Sequence, residues 1–297
     1  MQEDYDADLG VIGSGGAAMA AGITVRQASA SVVLVERALI GGTCVNVGCV
    51  PSKTLLAAAG ARHGALANPF PGAPTSADGV DLASLAEQKD ELVGRLRHAK
   101  YEEVANAYGF EILHGAARFR DEETLEADGR RLRARSYIVA TGAEPNASGL
   151  SGLDAVPFLT STTAMELHQL PESMIVVGGG YVGMEQAQLF AHLGTSVTVV
   201  GRLASHAEPE IAAVLRGVFA DDGIDVIEER ARSVERSGDG VAVFTASGQR
   251  LEAKELLVAT GRRARTDGLD LAAAGVKTDE SGFVIVDEHQ RSSNPRV

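Results

Sequence analysis

The only two cysteines of the chain, Cys44 and Cys49, are separated by four residues in a glycine-rich segment. Alanine and leucine are frequent from residue 43 to about residue 62, which predicts a helix that begins near Cys44. A helix N-terminus carries partial positive charge, which lowers the pKa of a thiol there and favours the reactive thiolate. Flexibility at Gly48 would let the cysteine Cα atoms approach to the ~4.4–6.8 Å that a disulfide requires. Such a pair could alternate between dithiol and disulfide, or bind a soft metal ion.

Two simpler interpretations of the cysteines remain open at this point. They could be unrelated buried residues, or they could form a structural cross-link. A cross-link would close a very short loop, and the stabilisation that a disulfide gives is small for short loops. The elements around the pair must decide between these interpretations.

A nucleotide-binding pattern precedes the cysteines. An apolar strand is followed by Gly-Ser-Gly-Gly-Ala-Ala at 13–18, an alanine-rich helix, and a second strand that ends at Glu36. In such a unit Gly13 makes the turn, Gly15 lets the backbone approach a pyrophosphate, and Ala18 lets the helix pack closely. The phosphates would lie at the helix N-terminus, and Glu36 would bind ribose hydroxyls.

The same pattern returns later in the chain. Gly-Gly-Gly-Tyr-Val-Gly at 178–183 lies between an apolar strand and a helix, and the next strand ends at Gly201-Arg202. An arginine where the first unit has its acidic residue favours a ribose 2′-phosphate, and therefore NADPH over NADH. The alternative is that Arg202 is an ordinary solvated surface residue.

Weaker patterns predict the other elements. They are a helix from about 81 to 109, a small antiparallel sheet over 111–139 with a turn at Asp128-Gly129, another antiparallel stretch over 224–258, and a short strand at 283–286.

Composition limits the class of protein. A chain of 297 residues with 45% hydrophobic residues is long enough for about two domains. No apolar run approaches the ~20 residues of a membrane span. The net charge of −13 argues against a nucleic-acid partner. Few cysteines and no export signal predict a cytoplasmic location.

Residues 41–53, Gly-Gly-Thr-Cys-Val-Asn-Val-Gly-Cys-Val-Pro-Ser-Lys, carry a family resemblance. With the two glycine motifs, they resemble the pyridine nucleotide–disulfide oxidoreductases over essentially the whole chain. The resemblance implies an α/β protein with two Rossmann-like, three-layer dinucleotide-binding domains of the glutathione reductase type. It places FAD on residues 1–148 and the nicotinamide cofactor on 149–265, with 266–297 returning into the FAD domain.

The resemblance also implies roles for individual residues. Cys49 would form a charge-transfer pair with the flavin, and Cys44 would attack or bind the substrate. Lys53 would lie near the flavin and pair with Glu185, and Tyr181 matches a gate over the flavin. The implied cofactor contacts are Gly13, Gly15, Ala18, Glu36, Gly42, Thr43, Lys53, Ala117, Thr141, Gly142, Gly178, Gly180, Gly183, Arg202 and Gly261.

Within the family the chain looks most like the mercuric reductase branch. His-Ala-Lys-Tyr at 98–101, His-Gly-Ala-Ala-Arg-Phe at 114–119 and the NADPH-suited Arg202 carry that likeness. It implies Hg(II) as substrate, bound transiently by Cys44 and Cys49. The family's C-terminal dimerisation domain has no counterpart here, so we expect a fragment of a homodimeric protein. A dihydrolipoyl or other disulfide substrate, or a nucleotide-binding module without turnover, are the alternatives.

Overall fold

A computed structural model describes residues 5–147 and 149–297 of the chain. The chain forms two compact units. The first unit holds the residues up to Cys49 together with Leu92–Glu144 and Arg263–Val297. The second unit holds Val50–Glu91 and Pro145–Arg262.

Fifteen strands are formed by the residues that the structure describes. They are β1 (Ala7–Ile12), β2 (Val32–Glu36), β3 (Glu111–His114), β4 (Ala117–Phe119), β5 (Thr124–Ala127), β6 (Arg130–Val139), β7 (Ala143–Pro145), β8 (Ser173–Val177), β9 (Ser196–Val200), β10 (Asp225–Ile227), β11 (Ala231–Ser237), β12 (Gly240–Thr245), β13 (Arg250–Ala253), β14 (Glu255–Val258) and β15 (Arg262–Ala264).

The helices are mostly short, and two of them carry the nucleotide-binding motifs. They are α1 (Gly16–Gln27), α2 (Gly42–Val47), α3 (Cys49–Leu66), α4 (Leu82–Arg97), α5 (Glu103–Ala107), α6 (Ser161–Ala164), α7 (Tyr181–Leu193) and α8 (Pro209–Asp221), with a π-helical turn at His98–Glu102 and a 3-10 turn at Leu153–Ala155.

The first unit is built on a six-stranded sheet in the order β3-β2-β1-β6-β5-β4. Strands β3, β2, β1 and β6 run parallel, and β6, β5 and β4 run antiparallel. Alternate residues of β2 belong to different hydrophobic clusters, with Val32 and Leu34 in one and Val33 and Val35 in the other. Both faces of the sheet are therefore covered, as expected for a central parallel sheet.

The end of the chain completes the core of the first unit. Leu269, Leu271 and Val276 are buried in the same cluster as Phe119 and Leu125. The end of the chain therefore packs within the first unit.

The second unit is built on a parallel sheet in the order β10-β9-β8-β14. Met174 and Val176 of β8 pack in one cluster, and Ile175 and Val177 pack in another on the opposite face. The antiparallel sheet β11-β12-β13 contributes Val234 and other residues to the second of these clusters. The predicted α/β class with two Rossmann-like units is confirmed.

Several predictions about local structure need correction. The helix expected over 43–62 is two helices, because the backbone breaks at Gly48. Strand β3 is not antiparallel, since it pairs parallel with β2 at the edge of the large sheet. Within 224–258 only β11, β12 and β13 are antiparallel, because β10 and β14 pair parallel with β9 and β8. The strand expected at 283–286 is reduced to one bridge between Thr278 and Val284.

The unit boundaries also differ from the expected domain limits. Residues 50–91 group with the second unit, and the expected limit after residue 148 falls on Ser148, outside the described residues. Which cofactor each domain binds stays a prediction.

The helix expected over 81–109 is present, with a π-helical turn in its course. Asp81 precedes it and accepts hydrogen bonds from the backbone and hydroxyl of Ser84 at 3.1 and 2.7 Å. Asp128 and Gly129 both have positive φ, as a two-residue hairpin turn requires. Over the part of the chain that the structure describes, every helix is too short or too polar to cross a bilayer.

Candidate active site

The two cysteines lie on either side of a break between helices. Cys44 is in α2, Cys49 is the first residue of α3, and Gly48 between them has φ −130° and ψ −108°. A Cβ at Gly48 would lie 2.9 Å from the carbonyl oxygen of Thr43, so the position suits glycine. Both cysteines are exposed and neither is in a disulfide. Both residues therefore lie at the protein surface.

The thiol of Cys44 does not show the lowered pKa expected for a helix start. A hydrogen bond with Cys49 raises the pKa of Cys44, and partial burial and the charge of Cys49 raise it further. The sequence-based expectation is wrong for Cys44, because the nearest group is a second thiol that competes for the negative charge. A cation bound between the sulfur atoms would remove that competition.

Tyr101 lies beside the cysteine pair and was not identified as a site residue from the sequence. It stands on the π-helical turn between α4 and α5, and its ring is 3.4 Å from the position of a Cβ on Gly41. Burial raises the pKa of its hydroxyl, and the nearby Cys44 and Cys49 raise it further. The hydroxyl therefore stays protonated at neutral pH. π-Helical turns often occur at functional sites, but this turn is visible only in the structure.

A side-chain clamp holds the loop in front of α2. Asn46 Nδ2 donates to the carbonyl oxygen of Ile40 at 3.0 Å, and its Oδ1 accepts from Arg97 Nη1 at 3.1 Å. The clamp fixes the start of the cysteine helix against the end of α4. Sequence reasoning gave Asn46 no role, because Arg97 is distant in the chain.

Two glycine loops meet at the carboxyl ends of β1 and β6. A Cβ on Gly13, at φ +106°, would lie 2.4 Å from the carbonyl oxygen of Ala140. A Cβ on Gly42, at φ +65°, would lie 2.5 Å from the Cα atom of Gly15. Side chains are thus excluded where the two loops pack backbone to backbone.

The helix that follows the first loop begins without a side-chain cap. Gly15 is the N-cap of α1, with no capping hydrogen bond and no acidic residue in the first turn. The first N–H groups of α1 are therefore available to an anion, and the helix dipole favours one.

Glu36 is held in place at the end of β2. Its Oε2 accepts a hydrogen bond from the Ser14 hydroxyl at 2.5 Å, and its Oε1 accepts from the backbone N–H of Ala38 at 2.9 Å. The Ser14 oxygen in turn accepts from the N–H of Gly41 at 3.0 Å. Ser14, which is buried, was missed as a positioning residue although it stands inside the glycine motif.

The other predicted residues of the first unit lie around the same sheet edge or support it. Gly142, past the end of β6, would place a Cβ 4.0 Å from the Thr43 hydroxyl, and Thr141 precedes it. Ala18 is fully buried in the core under α1. Ala117 begins β4, just after a turn whose Gly115 donates to the carbonyl oxygen of Glu36 at 2.9 Å.

The residues of the first unit fit a dinucleotide such as FAD. An uncapped helix start, loops that leave no space for side chains, and a fixed carboxylate lie at one sheet edge. These are the parts that hold the pyrophosphate and ribose in such folds.

The second unit repeats this construction at the start of α7. Gly180 is its N-cap, again without a capping side chain or an acidic residue in the first turn. A Cβ on Gly178 would lie 2.4 Å from the carbonyl oxygen of Ala259, and one on Gly183 would lie 1.9 Å from that of Gly178. The glycines therefore allow close packing between β8, α7 and the segment after β14.

A cavity of about 160 Å³ lies at this helix start. Gly180, Tyr181, Val182, Gly261 and Arg262 are among its lining residues. Tyr181 is 68% exposed at the mouth, so its ring is not held in place by packing. A larger cavity of about 380 Å³, lined by residues such as Ala58, Arg62 and Leu85, contains none of the predicted site residues.

Arg202 is exposed directly beyond β9. Its backbone is close to the second glycine loop, since a Cβ on Gly179 would lie 2.3 Å from the Arg202 carbonyl oxygen. The Ala204 N–H donates to the Gly179 carbonyl oxygen at 2.8 Å. A cation beside the glycine loop fits the 2′-phosphate of NADPH.

Lys53 and Glu185 form the predicted ion pair. Lys53 is one turn after Cys49 on α3, and Glu185 is in α7. The Nζ atom of Lys53 is hydrogen-bonded to Glu185 Oε1, and both side chains are exposed. Exposed pairs contribute little to stability, so a role in positioning the lysine is the better explanation.

Comparison with known proteins gives one family. A family model described as pyridine nucleotide-disulphide oxidoreductase matches residues 7–297. A mercuric reductase of Streptomyces lividans is 52% identical over 98% of this chain and 64% of that protein. One from Lysinibacillus sphaericus is 43% identical over 100% of this chain and 55% of that protein. The chain therefore spans 64% and 55% of the length of these two relatives.

Solved structures agree in fold. The HOCl-induced flavoprotein disulfide reductase RclA from Escherichia coli superposes with a TM-score of 0.85 at 26% identity, over 97% of this chain and 64% of that one. Its Cu(II) complex superposes with a TM-score of 0.84. The glutathione reductase-like fold expected from the sequence is confirmed.

Proposed function

We propose that this chain, which belongs to the pyridine nucleotide–disulphide oxidoreductase family of enzymes, is part of an NADPH-dependent flavoprotein that reduces Hg(II) to Hg(0). The resemblance predicted from the cysteine motif is confirmed by the family match and by relatives named mercuric reductase. The metal substrate and the NADPH preference are the parts that we propose.

One observation carries the proposal: two exposed thiols, hydrogen-bonded to each other, with a protonated tyrosine beside them. Hg(II) is a soft ion, and soft thiolate ligands bind such ions tightly. Binding at Cys44 and Cys49 would displace the thiol protons and replace the hydrogen bond and the charge repulsion from Cys49 that raise the pKa of Cys44. The Tyr101 hydroxyl would donate to a sulfur atom when the metal leaves.

The remaining site residues would hold the cofactors. The loops around Gly13 and Gly42, with Glu36, fit FAD, and the start of α7 with Arg202 fits NADPH. When bound, FAD accepts hydride from NADPH and supplies the electron pair used for reduction. The overall reaction converts NADPH and Hg²⁺ into NADP⁺, Hg⁰ and one proton, so two electrons and all charges balance.

The remaining predictions about the whole protein belong to this proposal. Because the relatives are longer than this chain, the homodimer and its C-terminal domain remain proposals about the full-length protein. A cytoplasmic location suits an NADPH-dependent enzyme that keeps its cysteines reduced.

A disulfide substrate is the second candidate. The structural neighbour from Escherichia coli is named a disulfide reductase. A dihydrolipoyl dehydrogenase, which oxidises a dithiol, or another NAD(P)H-dependent disulfide reductase would use the same cysteines with FAD and a nicotinamide cofactor. A nucleotide-binding module without turnover is the non-enzymatic candidate.

A spectral titration tests these candidates. The purified chain is loaded with FAD and reduced with NADPH, while flavin absorbance and Hg(II)-dependent NADPH oxidation are followed. We expect a long-wavelength charge-transfer band that is lost in Cys49→Ala, and Hg(II)-dependent turnover that is lost in Cys44→Ala. Ala57→Ser, on an exposed position of α3, is the matched control and should change neither signal.

Each other outcome selects another candidate. A charge-transfer band with turnover of lipoamide or another disulfide, and none with Hg(II), favours the disulfide substrate. A chain that binds no FAD under any condition supports the module interpretation and refutes the proposal for this chain.

A further inference from the structure

Three side chains of the second unit form a cluster that the redox chemistry does not use. They are His63, His192 and Asp222, each offering one ligand atom, with all three atoms within 4.8 Å of one another. His63 Nε2 is 3.5 Å from Asp222 Oδ1, and His192 Nε2 is 3.2 Å from Asp222 Oδ2. The Asp222 and His192 side chains are only 10% and 14% exposed, whereas His63 is 33% exposed.

The distances suit a metal ion held by all three residues. Zinc bonds to imidazole nitrogen and carboxylate oxygen are about 2.0–2.1 Å long, which makes the edge of a tetrahedron about 3.3–3.4 Å. The two nitrogen–oxygen distances of 3.2 and 3.5 Å bracket that edge. The imidazole rings of His63 and His192 stack with centroids 3.8 Å apart and planes 14° apart. A metal binds an imidazole nitrogen in the plane of its ring, so the more exposed ring, that of His63, turns out of this stack when both Nε2 atoms reach one ion.

The contact between His192 and Asp222 is not a good hydrogen bond. Although the atoms are 3.2 Å apart, the enclosed Nε2 of His192 has no hydrogen bond of acceptable geometry to any residue in 5–147 or 149–297. A buried polar atom without such a bond is costly and needs an explanation. A metal ion between the three residues would supply a partner for this atom.

The ends of three helices also favour a cation at the cluster. His63 is in the last turn of α3, His192 is in the last turn of α7, and Asp222 is the C-cap of α8. Each helix C-terminus carries about half a negative charge. The Asp222 carboxylate adds a further negative charge at a position where the helix dipole alone would disfavour it.

The surroundings provide support for the ligands. Gln188 Nε2 donates to Asp222 Oδ2 at 2.8 Å and orients the carboxylate. Arg62 Nη1 donates to the carbonyl oxygen of His192 at 2.8 Å, which caps the end of α7. Outer-shell bonds of this kind fix ligand orientation at metal sites.

We propose that His63, His192 and Asp222 bind one divalent transition-metal ion of the Zn²⁺ class, with water at the fourth position. Imidazole nitrogen with a carboxylate oxygen suits Zn²⁺, Ni²⁺ and Cu²⁺ rather than Mg²⁺ or Ca²⁺. The bound ion links the C-terminal ends of α3, α7 and α8 within the second unit. The partly exposed His63 side gives the ion its entry route.

The contrasting interpretation is that the imidazoles only cap the helix ends. Titration of the full chain in the Cys44→Ala/Cys49→Ala background distinguishes the two, because this background removes the thiols that also bind these metals. Zn²⁺ binding is measured by calorimetry, and Co²⁺ is used as a visible-absorption probe. We expect one Zn²⁺ per chain and the intense visible bands of four-coordinate Co²⁺ without thiolate charge-transfer absorption.

Ligand variants complete the test. His63→Gln, His192→Gln and Asp222→Asn should each weaken Zn²⁺ binding by at least about tenfold, since loss of an outer-shell partner alone costs about 10–100-fold. His168→Gln, an exposed histidine of the same unit, should leave the affinity unchanged.

Two results would overturn the site. One is the absence of one-equivalent Zn²⁺ binding and of four-coordinate Co²⁺ bands in the background chain. The other is equal affinity in the background chain and in His63→Gln, which is the variant expected to fold best because its side chain is the most exposed of the three. Circular dichroism verifies folding of each variant. None of these readouts depends on FAD, NADPH or Hg(II).

Discussion

Replacing Gly42 by alanine tests the packing between the two glycine loops of the first unit. At φ +65° an alanine is strained by about 1–2 kcal/mol. Its Cβ would also lie 2.5 Å from the Cα atom and 3.0 Å from the N atom of Gly15. Overpacking of a tight site costs about 1–3 kcal/mol. The expected loss in the free energy of unfolding is therefore about 2–5 kcal/mol.

The same variant should weaken FAD binding. The added methyl group pushes against the backbone of Gly15, which is the N-cap of α1 and the residue that would approach the pyrophosphate. A displacement that removes about 1.4 kcal/mol of binding free energy weakens affinity about tenfold, and we expect at least that effect. FAD binding is followed by the change in flavin fluorescence on titration.

Gly60→Ala is the matched control for Gly42→Ala. Gly60 is in α3, and a Cβ there would meet no atom within 4 Å. Alanine at such a helical position should stabilise the chain by about 0.5–1 kcal/mol and leave FAD affinity unchanged. Urea unfolding is followed by far-ultraviolet circular dichroism. If Gly42→Ala matches the parent in stability and in FAD affinity, the packing of the glycine loops has been misjudged.

Three further changes test other parts of the molecule. In calorimetry, Arg202→Ala should weaken NADPH binding by about 10–100-fold, because hydrogen bonds to charged groups contribute about 1.5–3 kcal/mol. NADH binding should not change, and equal losses for both cofactors would contradict a contact between Arg202 and the 2′-phosphate. Cys49→Ala should move the pH profile of Cys44 alkylation to lower pH, because Cys49 raises the pKa of the Cys44 thiol. An unchanged profile would show that the two thiols do not interact. The buried hydroxyl of Tyr137 is hydrogen-bonded to the backbone of Glu123, Leu132 and Ala134 at 2.7–2.9 Å. Tyr137→Phe should therefore lower the free energy of unfolding by about 1–3 kcal/mol for each buried group left unpaired, and a loss of well under 1 kcal/mol would show that these hydrogen bonds do not stabilise the fold.

The parts of the fold that follow from local sequence could be predicted well. The strand, glycine turn and helix around Gly13 and Gly178 occupy consecutive residues, so their spacing defines the unit. The Asp128-Gly129 turn was predictable for the same reason. These features depend on neighbours in the chain and on backbone conformations that favour glycine.

The parts that depend on distant contacts could not be predicted. The helix after Cys44 breaks at Gly48, where a Cβ would lie 2.9 Å from the carbonyl oxygen of Thr43. Helical propensity does not describe that contact. Strand β3 joins the large sheet through β2, and no local pattern distinguishes that pairing from an antiparallel one. The raised pKa of Cys44 depends on its geometry relative to Cys49 rather than on the helix start alone.

The candidate metal site shows the same limit more strongly. His63, His192 and Asp222 are far apart in the sequence and show no ligand spacing of the kind that identifies metal motifs. They meet only because three helices end at one place.

The discontinuous first unit has a consequence for synthesis on the ribosome. Its core needs Leu269, Leu271 and Val276 from the last part of the chain, packed against Phe119 and Leu125. The second unit is complete once Arg262 has emerged, so it can fold while the tail is still being translated. The first unit, which contains Cys44, must therefore wait for about 14 further residues, up to Val276, which takes roughly 1–3 s at typical elongation rates of about 5–20 residues per second. During that interval its thiols depend on the reducing environment of the nascent chain for protection.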